Sequence, residues 1–294
     1  MTAATAAPAR RSRRRRILAI LGFIGLVLAL WEGVKFIGGD PWRVNGELIW
    51  TPPLDLKFAT DINLPHVWSI AAALGEPWRR SADTSLFMFL VGKALYTWRE
   101  AAIGFALGAV TGIALAAAFV HSQLLERAFV PYVVASQTIP IVALAPMIVF
   151  FVGNEVLAVV VVATYLTFFP VTIAMIRGLR SPDPRALELM RSYAAKRRTI
   201  FWKLRMPASV PYLFTALKIA ATASIVGAIV GEGPGGVQDG LGRAILDFNQ
   251  TYITGPEKLW AAILVTALLG ISFYLLVRIA ELWWLRDRAS VVLT

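Results

Sequence analysis

Six long apolar runs, separated by shorter polar stretches, set the pattern of this chain. Each run has about 20 residues, which is the length of helix needed to cross the hydrocarbon core of a bilayer. Each run therefore predicts a transmembrane helix. The predicted spans are roughly 17–37, 98–120, 129–152, 156–176, 210–230 and 259–282.

Composition agrees with this pattern and defines the fold class. Of the 294 residues, 57% are hydrophobic and only 16% are charged, which lies outside the range of ordinary soluble domains. We expect an all-α integral membrane protein with one membrane domain. The expected divisions are a basic tail, first span and extracytoplasmic loop at 1–94, the membrane domain at 95–285, and a short cytoplasmic tail at 286–294.

Positive charge, +11 in net, is concentrated at the ends of the apolar runs. The positive-inside rule places such clusters in the cytoplasm, which predicts that both termini are cytoplasmic. The same distribution argues against nucleic acid as a partner. The clusters are Arg10, Arg11, Arg13, Arg14, Arg15 and Arg16, the residues 177–205, and Arg286 with Arg288.

The loop after the first span, about 38–97, is expected outside, because long loops translocate largely regardless of their charge. Within it, 64–74 and 85–96 predict helices, and the second either lies along the interface or extends the next span. Trp31, Glu32 and Lys35 stand where a signal peptide would need small residues for cleavage. We therefore expect the first span to be retained.

Polar residues and prolines interrupt the third apolar run in the sequence SQTIPIVALAP. Proline removes backbone hydrogen bonds, so such breaks belong beside other protein or a water-filled cavity. This favours a lining of a path or a hinge, and a kink that serves shape alone is the alternative. The path or hinge candidates are Gln137, Thr138, Pro140, Pro146, Thr164, Thr167, Thr222 and Ser224.

Glycines at positions 104, 108 and 112 share one face of the second span. In lipid, small residues let helix backbones approach closely, so Gly104, Gly108 and Gly112 are predicted to serve helix packing. A dimer contact or a moving interface is the alternative.

Three glutamates lie near the outer ends of spans: Glu100, Glu155 and Glu232. Ionisable residues near membrane depth are functional candidates, but solvated residues at helix ends are the commoner case and are expected here. The glycine-rich stretch 231–242 predicts a flexible outer turn, without the strand and helix that flank a phosphate-binding loop.

The chain offers no chemistry of its own for hydrolysing ATP. Its Gly92-Lys93 pair lacks the upstream glycine and the following Ser or Thr of a phosphate-binding loop. His66 and His121 are isolated, no cysteine is present, and no nucleophile elbow or carboxylate-histidine cluster occurs. We expect no catalytic residue and no metal site.

Residues 179–207, here called the basic segment, lie between the fourth and fifth apolar runs. Pro182, Asp183 and Pro184 break the chain, and 185–193 then predicts a short helix. Basic residues alternate with large apolar ones from Lys196 to Arg205. Such alternation suits either a partner protein or an anionic lipid surface.

The basic segment carries a spaced motif. Glu188-Leu189-Met190, then Ala194, and then Leu204-x-Met206-Pro207 follow the pattern E-A-A-x3-G-x9-I-x-L-P of ABC importer permeases. With SQTIPIVALAP, Glu232 and Gly240-Leu241-Gly242, the chain resembles the nitrate, sulfonate and taurine class over about 95–285. Alanine at 194 replaces the motif glycine, so a turn there must use an ordinary backbone conformation or accept strain.

The resemblance implies a type I ABC importer permease-like bundle in the bacterial inner membrane. In that family this segment forms a coupling helix in a groove of a separate ATPase, which alone binds ATP and Mg. Tyr193, Phe201 and Trp202 would anchor it within a charged rim. The implied coupling residues are Glu188, Arg191, Tyr193, Ala194, Lys196, Arg197, Phe201 and Pro207.

The resemblance also implies partners. These are two cytoplasmic ATPase subunits, an extracytoplasmic binding protein and a second permease copy, in addition to membrane lipid. Candidates for docking the binding protein are Glu155, Glu232, Gly240 and Gly242.

The implied substrate is a small polar solute such as an oxyanion or sulfonate, and relatives that carry uncharged heterocycles are the other option. An ATP-independent secondary transporter or channel is the alternative function, although few ionisable residues are available for an ion relay. A non-transporting scaffold would leave the polar breaks unexplained.

Overall fold

The computed structural model describes residues 9–44, 47–233 and 237–289. Gly235, Gly236 and part of the expected tail 286–294 lie outside the described residues, as do the side chains of the terminal arginines other than Arg15. The helices are α1 Ala9–Ile37, α2 Val67–Ala73, α3 Leu86–His121, α4 Gln123–Ser136, α5 Ile141–Val152, α6 Glu155–Arg180, α7 Pro184–Ser192, α8 Arg197–Ile200, α9 Met206–Glu232, α10 Leu241–Gln250 and α11 Pro256–Ala289.

Five helices in the described residues are long and apolar enough to cross a membrane, and a bent pair makes a sixth if it counts as one span. The predicted spans are thus confirmed except for the third. The third, predicted over 129–152 with an interruption at its prolines, is divided there into α4 and α5, which meet at 101°. Pro140 stands at the N-cap of α5 with ψ 116°, and proline disfavours helical backbone in the residue before it.

The described residues fall into two compact units, one of residues up to Leu86 with Phe248–Ala261, and the other of Phe87–Asp247 with residues from Ala262 onward. In the first unit, strands β1 Trp42–Val44 and β2 Glu47–Trp50 form an antiparallel hairpin that the sequence pattern did not predict. The predicted helix at 64–74 is confirmed as α2.

Charged residues of α1 hold the chain that follows the hairpin. Lys35 is only 1% exposed, and its Nζ donates to Asp61 Oδ1 at 2.5 Å and to the Leu64 carbonyl at 2.7 Å. Glu32 accepts the backbone N–H of Val67 at 2.8 Å and lies 2.7 Å from His66 Nδ1. The expectation that His66 is isolated is therefore wrong, because residues distant in the sequence bring carboxylates to it. Because buried charges need such partners, these contacts attach the loop to α1.

In the second unit, α3 incorporates the predicted 85–96 helix and packs against α6 through glycine. A Cβ added at Gly104 would lie 2.4 Å from Ala163 Cβ, and one at Gly108 would lie 2.5 Å from Thr167 Cβ. At Gly112 the nearest atom would be the Phe168 carbonyl oxygen at 2.8 Å. Only glycine allows backbones this close, so the three positions lie within the contact between the two helices.

An ion pair joins α9 to α11. Lys218 Nζ lies 2.9 and 2.8 Å from the two carboxylate oxygens of Glu281, and both side chains are mostly buried. Since a lone charge in an apolar bundle is unfavourable, each residue compensates the other.

Lys218→Met is expected to lower the unfolding free energy by about 2–3 kcal/mol, because it leaves Glu281 without its partner. The double variant Lys218→Met/Glu281→Met should lose less than this single variant, since it removes both charges. Thermal unfolding of the purified chain in detergent measures both. Equal midpoints for the wild type and Lys218→Met would contradict a compensating pair.

Candidate functional site

Helix α7 occupies the centre of the basic segment and confirms the short helix predicted there. Asp183 caps its N-terminus, where Oδ1 accepts the backbone N–H of Arg185 at 2.8 Å, and Pro184 occupies the first turn. Both residue types suit a helix start, because proline has no N–H to satisfy and aspartate accepts an unpaired one.

The C-terminus of α7 ends in a left-handed turn at Ala194. Its φ is +54°, in the region that glycine adopts readily and that costs other residues about 1–2 kcal/mol. The N–H of Ala194 donates to the Arg191 carbonyl at 2.9 Å, and that of Ala195 donates to the Met190 carbonyl at 3.0 Å. These are the two bonds of a Schellman motif. Ala194 therefore accepts the strain of a left-handed conformation and does not use an ordinary backbone conformation.

Ala194→Gly is expected to raise the unfolding free energy of this turn by about 1 kcal/mol, because glycine relieves the strain of positive φ. Ala195→Gly is the matched control, since Ala195 does not have a positive φ. It should be neutral or destabilising. Hydrogen exchange of the amides in α7 measures the local effect, and faster exchange in Ala194→Gly than in the wild type would contradict it.

Three large apolar side chains of the basic segment are exposed at the surface. Leu189 is 58% exposed, Tyr193 79% and Trp202 58%. Phe201, expected as an anchor, is instead only 9% exposed and packs in the core with Phe119 and Leu179. The exposed implied coupling residues are Glu188, Arg191, Tyr193, Ala194, Lys196 and Arg197, whereas Pro207 lies half-buried in the first turn of α9.

Glu100 and Glu232 are both fully buried, so the interpretation that they are solvated helix ends is wrong. Helix α3 brings Glu100 next to the end of α9, where the two carboxyl groups interact. Glu232 Oε2 accepts the backbone N–H of Gly242 at 2.7 Å. Glu232 thus serves as a hydrogen-bond acceptor for the chain that follows α9.

The turn before α10 is built closely around Glu232. Gly240 has φ +94°, and a Cβ added there would lie 2.1 Å from the carboxyl carbon of Glu232. Thr97 Oγ1 accepts the N–H of Leu241 at 2.8 Å, and Lys93 pairs with Asp239 at 2.7 Å. This described part of the glycine-rich stretch is therefore packed on α3 and α9.

Docking candidates differ in their exposure. Glu155 is exposed and its Oε2 accepts the backbone N–H of Gln238 at 3.3 Å, whereas Glu232, Gly240 and Gly242 are buried. Only Glu155 among the four presents its side chain at the surface.

The path candidates lie in several different places. Thr164 donates to the Gly104 carbonyl at 3.3 Å and Thr167 is buried against Gly108, so both lie in the contact between α3 and α6. Ser224 is buried and donates to its own helix. Thr222 is exposed on α9. The other candidates lie around the α4–α5 bend: Gln137, Thr138, Pro140 and Pro146.

Helix α9 has an exposed face, of which the sequence analysis identified only Thr222. It comprises residues at intervals of three and four, a signal that was readable in the sequence. These residues are Tyr212, Thr215, Ile219, Thr222 and Val226. Among the described residues, no group of three or more His, Cys, Asp or Glu side chains could hold a metal ion.

Residues 104–284 match the family described as binding-protein-dependent transport system inner membrane component. A formylaminopyrimidine transport permease of Halalkalibacterium halodurans is 35% identical over 218 residues, 70% of this chain and 84% of that protein. A riboflavin transport system permease of Chloroflexus aurantiacus is 31% identical over 170 residues, 58% of this chain and 62% of that protein. A nitrate import permease of Leptolyngbya laminosa is 28% identical over 204 residues, 69% of this chain and 71% of that protein.

Proteins of this family are multi-pass inner-membrane permeases without an ATPase domain or bound cofactor, and they work with a separate ABC ATPase and a binding protein. The match spans more than half of the chain and includes the basic segment and the helices around it. The chain therefore belongs to this family and is the permease component of an ABC importer.

Proposed function

We propose that the basic segment transmits the ATPase cycle to the membrane helices, with α7 seated in a groove of the ATPase. The observation that carries this proposal is the exposure of Leu189 and Tyr193 beside exposed charges on a short, well-capped helix. Apolar anchors inside a charged rim are typical of protein interfaces. Anionic lipid remains the alternative partner for this surface.

Two identical copies would enclose the path, with both termini of each in the cytoplasm. The exposed face of α9 supports this arrangement, because Thr215 and Thr222 place hydroxyl groups along a helix that otherwise exposes apolar residues. The bend between α4 and α5 adds exposed Thr138. Polar groups of this kind suit passage of a hydrated solute better than contact with lipid.

The extracytoplasmic binding protein would dock near Glu155 and the turn before α10. Glu155 bonds the Gln238 N–H, and Glu232 holds the same turn from inside. Docking of the binding protein on this surface would therefore act directly on α9. Because α9 follows the basic segment without a break, both partners act on one helix.

We infer that the substrate is a small polar heterocycle, with an oxyanion or sulfonate as the second candidate. The relatives that carry formylaminopyrimidine and riboflavin are 35% and 31% identical, against 28% for the nitrate permease. Within α9, the charge of Lys218 is compensated by Glu281 and does not offer an anion site. The second candidate is favoured by the nitrate relative.

The permease, its ATPase and its binding protein reconstituted in liposomes test this function. We expect uptake that requires ATP on the ATPase side and the binding protein on the other side. Competition among a formylaminopyrimidine, an alkanesulfonate and nitrate identifies the substrate class. Uptake that persists without ATP under a membrane potential would instead indicate a secondary transporter.

A further inference from the structure

A cavity of about 530 Å³ lies between the basic segment and the junction of α3 with α4. Its lining includes Arg191 of α7, Arg197 of α8 and Arg205 just before α9, together with His121 at the end of α3. A volume of this size is typical of small-molecule sites. The cavity is separate from the exposed face of α9 and from the turn before α10.

The charge in this cavity is uncompensated. No Asp or Glu is among its lining residues within the described part of the chain. The arginine ion pairs of the described residues involve Arg180 with Glu126 and Arg243 with Asp247, not the three cavity arginines. Like charges gathered in a partly closed space repel one another, and an anion bound among them relieves that repulsion.

Arg205 is the most enclosed of the three arginines. It is half-buried, and the charged groups that act on it are Arg180 and Arg191, both positive. Two guanidinium groups from different elements can each offer a pair of N–H donors to one phosphate group. The arrangement therefore suits an anionic phosphate group, whose non-bridging oxygens can accept from more than one guanidinium group.

His121 completes the cavity on the α3 side. Its Nδ1 lies 2.7 Å from the Ala117 carbonyl, which can only accept, so Nδ1 donates there. Nε2 then accepts from a P–OH group when the ring is neutral and donates to a phosphate oxygen when the ring is protonated. The imidazole ring packs 4.9 Å from the ring of Phe201, which is itself buried. The histidine is therefore held in place before any ligand arrives.

We propose that this cavity binds the phosphate group of an anionic ligand and thereby links the basic segment to the α3–α4 junction. The phosphate group belongs either to an anionic phospholipid of the membrane or to a soluble phosphate compound. Both sources present negatively charged, non-bridging phosphate oxygens to the arginines. The site is formed by this chain alone, but Arg191 and Arg197 are also implied coupling residues, so binding is measured on the permease without its ATPase.

Titration of the purified full-length chain with inorganic phosphate and with phosphatidylglycerol, followed by native mass spectrometry, tests the site. Arg205→Gln should weaken binding by about tenfold or more for whichever of the two probes binds the wild type, because a charge-assisted hydrogen bond is lost. Arg198→Gln is the matched control, since Arg198 is exposed in α8 and does not line the cavity. It should change affinity less than about twofold.

Arg205-dependent binding of inorganic phosphate supports a soluble ligand, and Arg205-dependent binding of phosphatidylglycerol alone supports a lipid. His121→Gln provides a second variant if Arg205→Gln does not fold, and it should also weaken binding. The proposal is overturned if neither probe binds. It is equally overturned if the cavity variants and Arg198→Gln weaken binding to the same extent.

Discussion

Leu189→Asp combined with Tyr193→Ala is expected to abolish association with the ATPase and ATP-driven uptake while the permease stays folded. Both side chains are more than half exposed, so their replacement removes little from the folded chain itself. At an interface, each anchor lost costs about 2 kcal/mol or more, and about 4 kcal/mol together weakens affinity roughly a thousandfold. Co-purification with the ATPase and uptake in liposomes measure the two effects.

Tyr132→Ala is the matched control for this variant. Tyr132 is 73% exposed on α4, outside the basic segment, and its replacement should leave ATPase association unchanged. Equal thermal midpoints for all three proteins would show that the fold is intact. Normal ATPase association of the double variant would show that α7 is not the docking element.

Gly240→Ala is expected to cause the second large loss, because two penalties coincide at this position. Its φ of +94° strains any residue with a Cβ, and that Cβ would lie 2.1 Å from the Glu232 carboxyl carbon. Strain and overpacking together should lower the unfolding free energy by about 3 kcal/mol or more. The folded yield in membranes and the thermal midpoint should both fall.

Two further variants separate these penalties. Gly153 also has a positive φ, +65°, but a Cβ there would meet nothing within 4 Å. Gly153→Ala should therefore lose only about 1–2 kcal/mol. Glu232→Ala added to Gly240→Ala should recover part of the loss, because it removes the clashing carboxyl group. A Gly240→Ala protein as stable as Gly153→Ala would contradict the close packing of Glu232 on this turn.

Local signals in the sequence predicted much of the fold. Apolar run length located the spans, and Asp183 with Pro184 located the start of α7, because both signals act over a few residues. Pro140 likewise marked the interruption in the third run. The 101° angle that follows was not predictable, since it depends on the packing of both halves.

The features that sequence reasoning missed depend on contacts between distant residues. The positions of Glu100 and Glu232 near span ends predict solvated residues, but the packing of α3 on α9 buries both. Lys218 and Glu281 are paired across 63 positions of the chain. Phe201 and Trp202 are both large apolar residues in a basic stretch, so the sequence does not distinguish them. In the structure Phe201 is buried in the core, whereas Trp202 is exposed.

Ala194 adopts the left-handed conformation that suits the motif's glycine, although its side chain makes that conformation less favourable. Alanine suggested that the turn either departs from the glycine conformation or accepts strain. The two Schellman hydrogen bonds require the left-handed residue, and they hold Ala194 in it. The hydrogen-bond pattern at the end of α7 therefore outweighs the residue preference.

Cross-linking from α7 to the ATPase tests the central claim most directly. The chain contains no cysteine, so Leu189→Cys and Tyr193→Cys each introduce a unique attachment point for a photoactivated cross-linker, with Tyr132→Cys as the control. We predict that both α7 positions cross-link to the ATPase in a complex active in uptake, and that the α4 position does not. An active complex in which neither α7 position cross-links would contradict the assignment of the basic segment as the coupling element.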